Sequence, residues 1–440
     1  MLGTETATRI DVGDRRIVGA WRVVALLGVA NLLNFYDRAV PAILVEPIKA
    51  QFGLSDADIG ILSAAFTVVY AAAGIALGRV ADRVARRKVM AWGLIVWSLF
   101  TAAGGGAWSF ASLLVARLGV GIGEASYAPA ANSTIADLFG VDRRSRAVGV
   151  FQLGLPLGLV LAFFTTGAVA EAFGSWRAPF LIAAVPGLIV AAFMFFIREP
   201  ERGASERHPE RPPAAVPIER PIRAVLRIRT MWWLIVSGIG LQVAVYAVST
   251  FLVPLFQRYF GLSLTTAAVN AGIVLGVTGL IGLLAGGVAG DRASRVSPRR
   301  RLLVGAVSVT AAVPLTFVAL RLAPGQSGLF LALFSVGWLL QYTFHTSALP
   351  AVADVVQPRL RSTAIGVFFA AFYLLGGAFG PVIAGALSDH LAALAPPGGP
   401  VSAQARGLHD SLLYLVPLSL SIAAAGLFGA ARTIGRDHRF

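Results

Sequence analysis

Arg117-Leu-Gly-Val-Gly-Ile-Gly-Glu124-Ala-Ser-Tyr-Ala-Pro129 places two ionisable residues inside an apolar run. At about 100° per residue, seven steps bring Arg117 and Glu124 round to one helix face, roughly 10 Å apart along the axis. Gly119, Gly121 and Gly123 leave the backbone between them bare, which suits close approach by a second helix. Charge at membrane depth is costly and normally faces a bundle interior or a wet cavity. The stretch therefore reads as membrane-embedded machinery, with Glu124 as a working group.

The rest of the chain agrees. Of 440 residues, 57% are hydrophobic and 13% charged, and the mean hydropathy is +0.75. Apolar runs of about 20 residues, each long enough to cross a bilayer, recur from end to end. Twelve helices are predicted, over 21–45, 57–79, 89–108, 110–138, 147–173, 177–197, 231–258, 264–289, 301–322, 328–352, 362–387 and 409–433. The fold class expected is an all-α membrane protein of two six-helix bundles. Met1 to Arg16 is polar and the first apolar run is too long for a signal peptide, so no leader is expected. Cysteine is absent, which excludes disulfides and thiol catalysis.

The net charge of +15 would suit a nucleic-acid binder, but the positions of the charges argue otherwise. Thirty of the 37 basic residues fall at alternate helix ends, on the side shared by both termini. Lys49, Arg177, Arg258, Arg321 and Arg406 fall on the other side, and Arg38 and Arg117 lie within helices. The positive-inside rule then puts both termini in the cytoplasm and the protein in the cell's inner (plasma) membrane. No nucleic-acid partner is expected.

The one long break, 198–230, is rich in Arg, Glu and Pro and reads as a cytoplasmic linker. It separates a bundle over 21–197 from one over 231–433, with tails at 1–20 and 434–440. Near its end, Ile222, Val225 and Leu226 alternate with Arg223, Arg227 and Arg229, a pattern for a short interfacial helix or a solvated linker. The halves repeat. Gly78-Arg-Val-Ala-Asp82-Arg83 returns as Gly287-Val-Ala-Gly-Asp291-Arg292, and Asp137 with Arg144-Ser-Arg-Ala-Val-Gly149 returns as Asp354 with Arg361-Ser-Thr-Ala-Ile-Gly366. Parallel repeats of this kind place a substrate site between the halves near the bilayer midplane.

These residues resemble the major facilitator superfamily. Gly78-x-x-x-Asp82-Arg83-x-x-Arg86-Arg87 is similar to its loop signature, departing at Ala85 where glycine is usual, and Gly287-x-x-x-Asp291-Arg292 is similar to a weaker second copy. Asn34-Phe-Tyr-Asp37-Arg38, Gly121-Ile-Gly-Glu124-Ala-Ser-Tyr127 and Glu199-Pro-Glu-Arg-Gly203 resemble the Spinster family, although an Asn-x-x-Asp-Arg first helix also occurs in organic anion symporters. The resemblance implies alternating access and export of lysolipids or sphingosine-type lipids, coupled to protons. It also implies that the loop residues Gly78, Asp82, Arg83, Arg86, Arg87, Asp291 and Arg292 latch the halves as a conformational gate; the alternative is that their charges only set topology.

Asp37, Arg38, Arg117 and Glu124 are the deepest ionisable residues, all in the first half. One reading makes Asp37 and Glu124 proton carriers, with Arg38, Asn34, Arg117 and Tyr127 binding the headgroup of an anionic substrate. The other makes the four charges fixed ion pairs between the first and fourth helices. Desolvation and a nearby arginine push a carboxyl in opposite directions, which is how such a group is brought into working range. In the second half, Gln341, Tyr342 and His345 are the polar residues expected at the cavity, or else in hydrogen-bonded packing. A charged half and an apolar half together suit an amphipathic substrate.

Glycine and proline in the fifth helix (Gly154, Pro156, Gly158) and the eleventh (Gly376 to Gly385) suit either bending or close packing. No Walker loop, Gly-x-Ser-x-Gly elbow or His-Glu-x-x-His is present, so neither an ATP-driven pump nor an enzyme is expected. No metal or cofactor is expected, the proton gradient being the energy source. The expected partners are membrane lipids, protons and a small amphipathic substrate, and the protein is expected to act as a monomer. An organic anion symporter or drug/proton antiporter on the same fold is the alternative, a channel or intramembrane enzyme a remote one.

Overall fold

The computed structural model describes residues 5–201, 221–357, 360–396 and 399–437; the predicted linker lies largely outside them. The first stretch holds α1 (Glu5–Ile43), α2 (Val45–Phe52), α3 (Asp56–Arg83), α4 (Arg86–Gly105) and α5 (Phe110–Ala125). It continues with α6 (Tyr127–Leu138), α7 (Val141–Gln152), α8 (Gly154–Ala172) and α9 (Arg177–Phe195). After the linker come the short α10 (Pro221–Leu226), α11 (Arg229–Arg258), α12 (Leu264–Gly272), α13 (Thr278–Ser294) and α14 (Pro298–Leu320). α15 (Ser327–Gln341), α16 (Thr343–Asp354), α17 (Arg361–Ala370), α18 (Phe379–Leu394) and α19 (Ala403–Asp437) complete the chain. No strand occurs among the described residues. In hydrocarbon every backbone group must be satisfied within its own segment, and the helix does this locally.

Eleven helical segments among the described residues are long and apolar enough to cross a membrane. The remaining predicted span, the fourth in chain order at 110–138, is present as α5 and α6, too short singly but consecutive, with the break at Ser126. Ser126 Oγ donates to the Gly123 carbonyl at 2.8 Å, a local bond that competes with the helical ladder. The helix α19 outruns its predicted span 409–433 at both ends, because hydropathy marks the bilayer and not the helix terminus.

The side chains are sorted inside out. On α9, Leu181, Val185, Ile189 and Phe193 are exposed, while Ala183, Ala184, Gly187 and Ala191 are buried. Small residues let helices approach, and the large apolar ones face lipid, where they cost nothing.

Several starts are capped: Ser109 and Ser112 form a capping box on α5, and Ser297 caps α14 ahead of Pro298. Two segments are π-helical, Ile273–Val277 between α12 and α13 and Ala371–Gly377 between α17 and α18. Tyr342 donates its hydroxyl to the Leu275 carbonyl inside the first of these, at 2.8 Å.

The chain forms two compact units. Unit 1 comprises residues 1–38, 72–161 and 177–215; unit 2 comprises 39–71, 162–176 and 216–440. In unit 1, α8 lies on α1: a Cβ on Gly158 would sit 2.3 Å from the Leu32 carbonyl oxygen. Asn31 donates to the Phe151 carbonyl at 3.1 Å, just before the break at Leu153 between α7 and α8. Glycine here serves close contact. In unit 2, α11 packs against α19 and α18, and the far ends of α1 to α3 and of α8 join the same body.

Candidate functional site

Within unit 1, α1, α4 and α5 bring the four charges together. Arg38 donates from Nε to Glu124 Oε2 at 2.6 Å; the Glu124 side chain is wholly buried and that of Arg38 is 20% exposed. The Arg38 guanidinium also lies 5.0 Å from the centre of the Phe35 ring. Asp37, one residue earlier and buried, turns to α4, where Thr101 Oγ1 stands 3.5 Å from its Oδ2. Arg117 is buried two helix turns before Glu124 and interacts electrostatically with both carboxylates. The glycines of α5 create the room: a Cβ on Gly123 would meet the Trp97 backbone nitrogen of α4 at 2.7 Å, and one on Gly119 the Phe100 ring at 2.3 Å.

The cluster is electrically matched but not saturated. Two acids face two arginines, yet Asp37 Oδ1, Glu124 Oε1 and Asn34 Nδ2 are buried without a well-formed hydrogen bond among the described residues, although Asn34 lies beside Glu124 and Trp97 beside Asp37. Each such atom, left unsatisfied, costs about 1–3 kcal/mol, so three in one cluster call for a physical reason. The arrangement sets carboxylate oxygens that can take up protons beside an arginine that one of those carboxylates holds.

The other predicted contact residues are placed differently. Tyr127 is buried in unit 1 and donates to the Leu27 carbonyl, its ring edge-on to Trp97 at 5.7 Å. In unit 2, the Tyr342 ring rests where a Cβ on Gly279 would come within 2.8 Å. Gln341 is buried with neither amide atom bonded, and half-buried His345 lies against Phe344 and Phe372.

The loop residues form two separate arrangements. Arg86 is 1% exposed; it donates to Asp137 at 2.5 Å, to Ser133 at 2.8 Å, and to Glu199 through both its backbone and its guanidinium. Arg87 reaches the Phe195 and Ile197 carbonyls at 3.4 and 3.5 Å. Unit 2 repeats the first pairing as Arg301–Asp354. Arg83, Asp291 and Arg292 are exposed, and the side chains of Gly78 and Asp82 lie outside the described residues.

A further cluster, at the end of the helices opposite the termini, was not anticipated. It lies wholly within unit 2. Arg258 of α11 grips both oxygens of Asp56, from Nη1 at 2.8 Å and Nη2 at 2.9 Å, and donates from Nε to Glu46 at 2.7 Å. Lys49 pairs with Asp56, and Ser388 Oγ donates to it at 2.7 Å. Asp389 of α18 caps α3 by accepting from the Asp56 and Ala57 backbone nitrogens at 3.0 and 2.8 Å. Contact is backbone-close: a Cβ on Gly385 would fall 2.2 Å from the Asp56 carbonyl oxygen. The available signal was the rarity of basic residues at this end, where Lys49 and Arg258 need acidic partners.

Comparison with known proteins accords with this architecture. The Major Facilitator Superfamily model matches residues 27–381. An MFS-type efflux pump of Mycolicibacterium smegmatis is 31% identical over 429 residues, 97% of this chain and 95% of that one. Protein spinster homolog 1 of Homo sapiens is 29% identical over 440 residues, 95% of this chain and 81% of that one. Among solved structures, a bacterial homolog to human lysosomal transporter Spinster, in an inward-facing and unoccupied conformation, superposes with a TM-score of 0.86 at 27% identity, covering 96% of this chain and 99% of that one.

Proposed function

Because the chain belongs to the major facilitator superfamily and is a transporter of Spinster type, we propose that it is a secondary carrier working by alternating access, coupled to protons, for an amphipathic lipid of lysolipid or sphingosine type. The observation that carries the proposal is the Arg38–Glu124 pair at 2.6 Å, with acceptor oxygens on Glu124 and Asp37 that lack a well-formed hydrogen bond. A proton on Glu124 removes the charge that holds Arg38. The released guanidinium then offers a fork of donors to an anionic headgroup. Loss of the proton restores the pair and expels the headgroup. The Glu124 carboxylate and the headgroup thus compete for one arginine, so proton and substrate bind together, and each biases the conformational equilibrium by its differential affinity. Asp37 and Arg117 keep the local charge near zero while this exchange occurs.

The alternation of basic residues supports both termini being cytoplasmic in a cell membrane, with 21–197 and 231–433 as the two six-helix halves. On that topology the Asp56–Arg258 cluster ties helices of both halves at the outer face. It supports a state closed to the outside, in keeping with the inward-facing neighbour. A lipid in the inner leaflet reaches the site from such a state.

A second reading is favoured by the relative at 31% identity, named an MFS-type efflux pump: proton antiport of amphipathic drugs. Proteoliposomes separate the two. With an imposed pH gradient, the lipid reading expects saturable movement of a fluorescent lysolipid that unlabelled lysolipid competes away and ethidium does not. Saturable ethidium efflux indifferent to lysolipid would replace it with the drug reading, and no dependence on the gradient would remove proton coupling.

A further inference from the structure

Away from the polar cluster, unit 2 carries a second concentration of charge. A groove of about 600 Å³ between the start of α11 and the end of α19 is lined by Arg229, Arg432 and Arg436 and by Trp233, Phe428 and Gly429. Helical spacing orders these residues in depth. Trp233 lies four residues inside Arg229 on α11, and Phe428 lies four inside Arg432 on α19. Arg229 and Arg432 therefore each stand at the helix end with an aromatic residue one turn nearer the membrane centre on the same face, and Arg436 lies one turn beyond Arg432. Gly429 is the seat of the tryptophan: a Cβ there would meet the ring at 2.3 Å. The three arginines are exposed. The acid beside them, Asp437, is engaged at the N-terminus of α11, accepting from Thr230 N at 2.9 Å and Oγ1 at 2.6 Å. The surface is continued by α10, with exposed Arg223, Arg227 and Ile222, tied to α11 where Trp232 Nε1 donates to the Leu226 carbonyl at 2.8 Å.

We infer that this groove binds the headgroup of an anionic diacyl phospholipid. The phosphodiester lies among the three guanidinium groups, and the acyl chain runs past Trp233 and Phe428. Guanidinium suits phosphate by its fork of donors. Basic pockets at the ends of membrane helices take anionic lipid heads, and tryptophan prefers the depth at which head meets chain. The apolar wall selects a lipid over free phosphate. The lipid clips the first helix of 231–433 to the last, remote from Arg38 and Glu124, and the inference does not rest on the transport reading.

The test is delipidated full-length protein, titrated with phosphatidylglycerol, phosphatidylcholine or inorganic phosphate, read by native mass spectrometry and by thermal shift. Wild type should retain phosphatidylglycerol and gain stability from it, and should do neither with phosphatidylcholine or phosphate. Arg432→Gln/Arg436→Gln should lose one bound lipid, with affinity about fivefold weaker per arginine removed. Arg321→Gln, at the far end of α14, should bind as wild type. Equal binding by the double variant overturns the assignment, and so does an equal loss in Arg321→Gln or a phosphate shift matching that of the lipid. If the double variant does not fold, Arg229→Gln on the other helix gives the same reading.

Discussion

Arg258 holds Asp56 through two parallel bonds, Nη1 to Oδ2 at 2.8 Å and Nη2 to Oδ1 at 2.9 Å, although the two residues are 202 positions apart in sequence. Asp56 is 2% exposed and also engages Lys49 and Ser388. A paired fork of this kind is geometrically demanding: it forms only when α11 and the start of α3 are brought fully together.

Arg258→Ala should release that end. Removing one partner of a buried pair costs about 3–5 kcal/mol, and with Lys49 still on Asp56 about 2 kcal/mol is expected, roughly a 30-fold shift toward the opened form. The cysteine-free chain allows spin labels at positions 50 and 321 without background. A longer distance should appear in the variant, and an unchanged distribution would remove the cluster's gating role.

Glu124→Gln should fold and bind but fail to couple. Gln cannot take up the proton that frees Arg38, so substrate exchange persists while accumulation driven by a pH gradient falls. Coupling free energies of about 1–3 kcal/mol correspond to roughly 5- to 150-fold. Normal gradient-driven accumulation in this variant would place proton coupling elsewhere.

Substitution at Arg38 tests headgroup chemistry. Arg38→Ala should weaken anionic ligands by about 1.5–3 kcal/mol, the range for a charge-assisted hydrogen bond, and leave neutral analogues of the same chain length nearly unaffected. Equal losses for both, measured by tryptophan quenching, would mean that Arg38 acts only through packing.

Arg86→Ala should be a stability variant. It takes the guanidinium away from both Asp137 and Glu199, at a cost of about 3–5 kcal/mol. The repeat-related Arg301→Ala should cost less, because the Asp354 side chain is 28% exposed against 16% for Asp137. Melting midpoints from fluorescence-detected size exclusion should therefore fall further for Arg86→Ala, and the reverse order would contradict the burial argument.

The fold was legible because its two determinants are local: apolar length sets the spans, and basic residues mark one end of each. The charged cluster was legible for a related reason, since Asp37, Arg38, Arg117 and Glu124 have no low-cost place in lipid except one another's company. What could not be read depends on distant partners. Asp389 meets the Asp56 backbone across 333 residues, and no spacing rule connects them. The break at Ser126 was hidden because 110–138 reads as one span and a serine there is unremarkable in composition. The π segment at Ile273–Val277 receives a hydrogen bond from Tyr342, at the junction of α15 and α16, a distant partner that no local pattern announces.

The wide turn at Ala371–Gly377 has its own consequence for Ser388 and Asp389, which lie beyond it on α18. A π turn stores a residue that an α-helix would have spent on length. Returning one residue to α geometry turns everything downstream by about 100° and advances it about 1.5 Å. That motion would swing Ser388 and Asp389 off Asp56 as a key leaves its wards, by torsion of a single rod and with no hinge opened to the surrounding hydrocarbon.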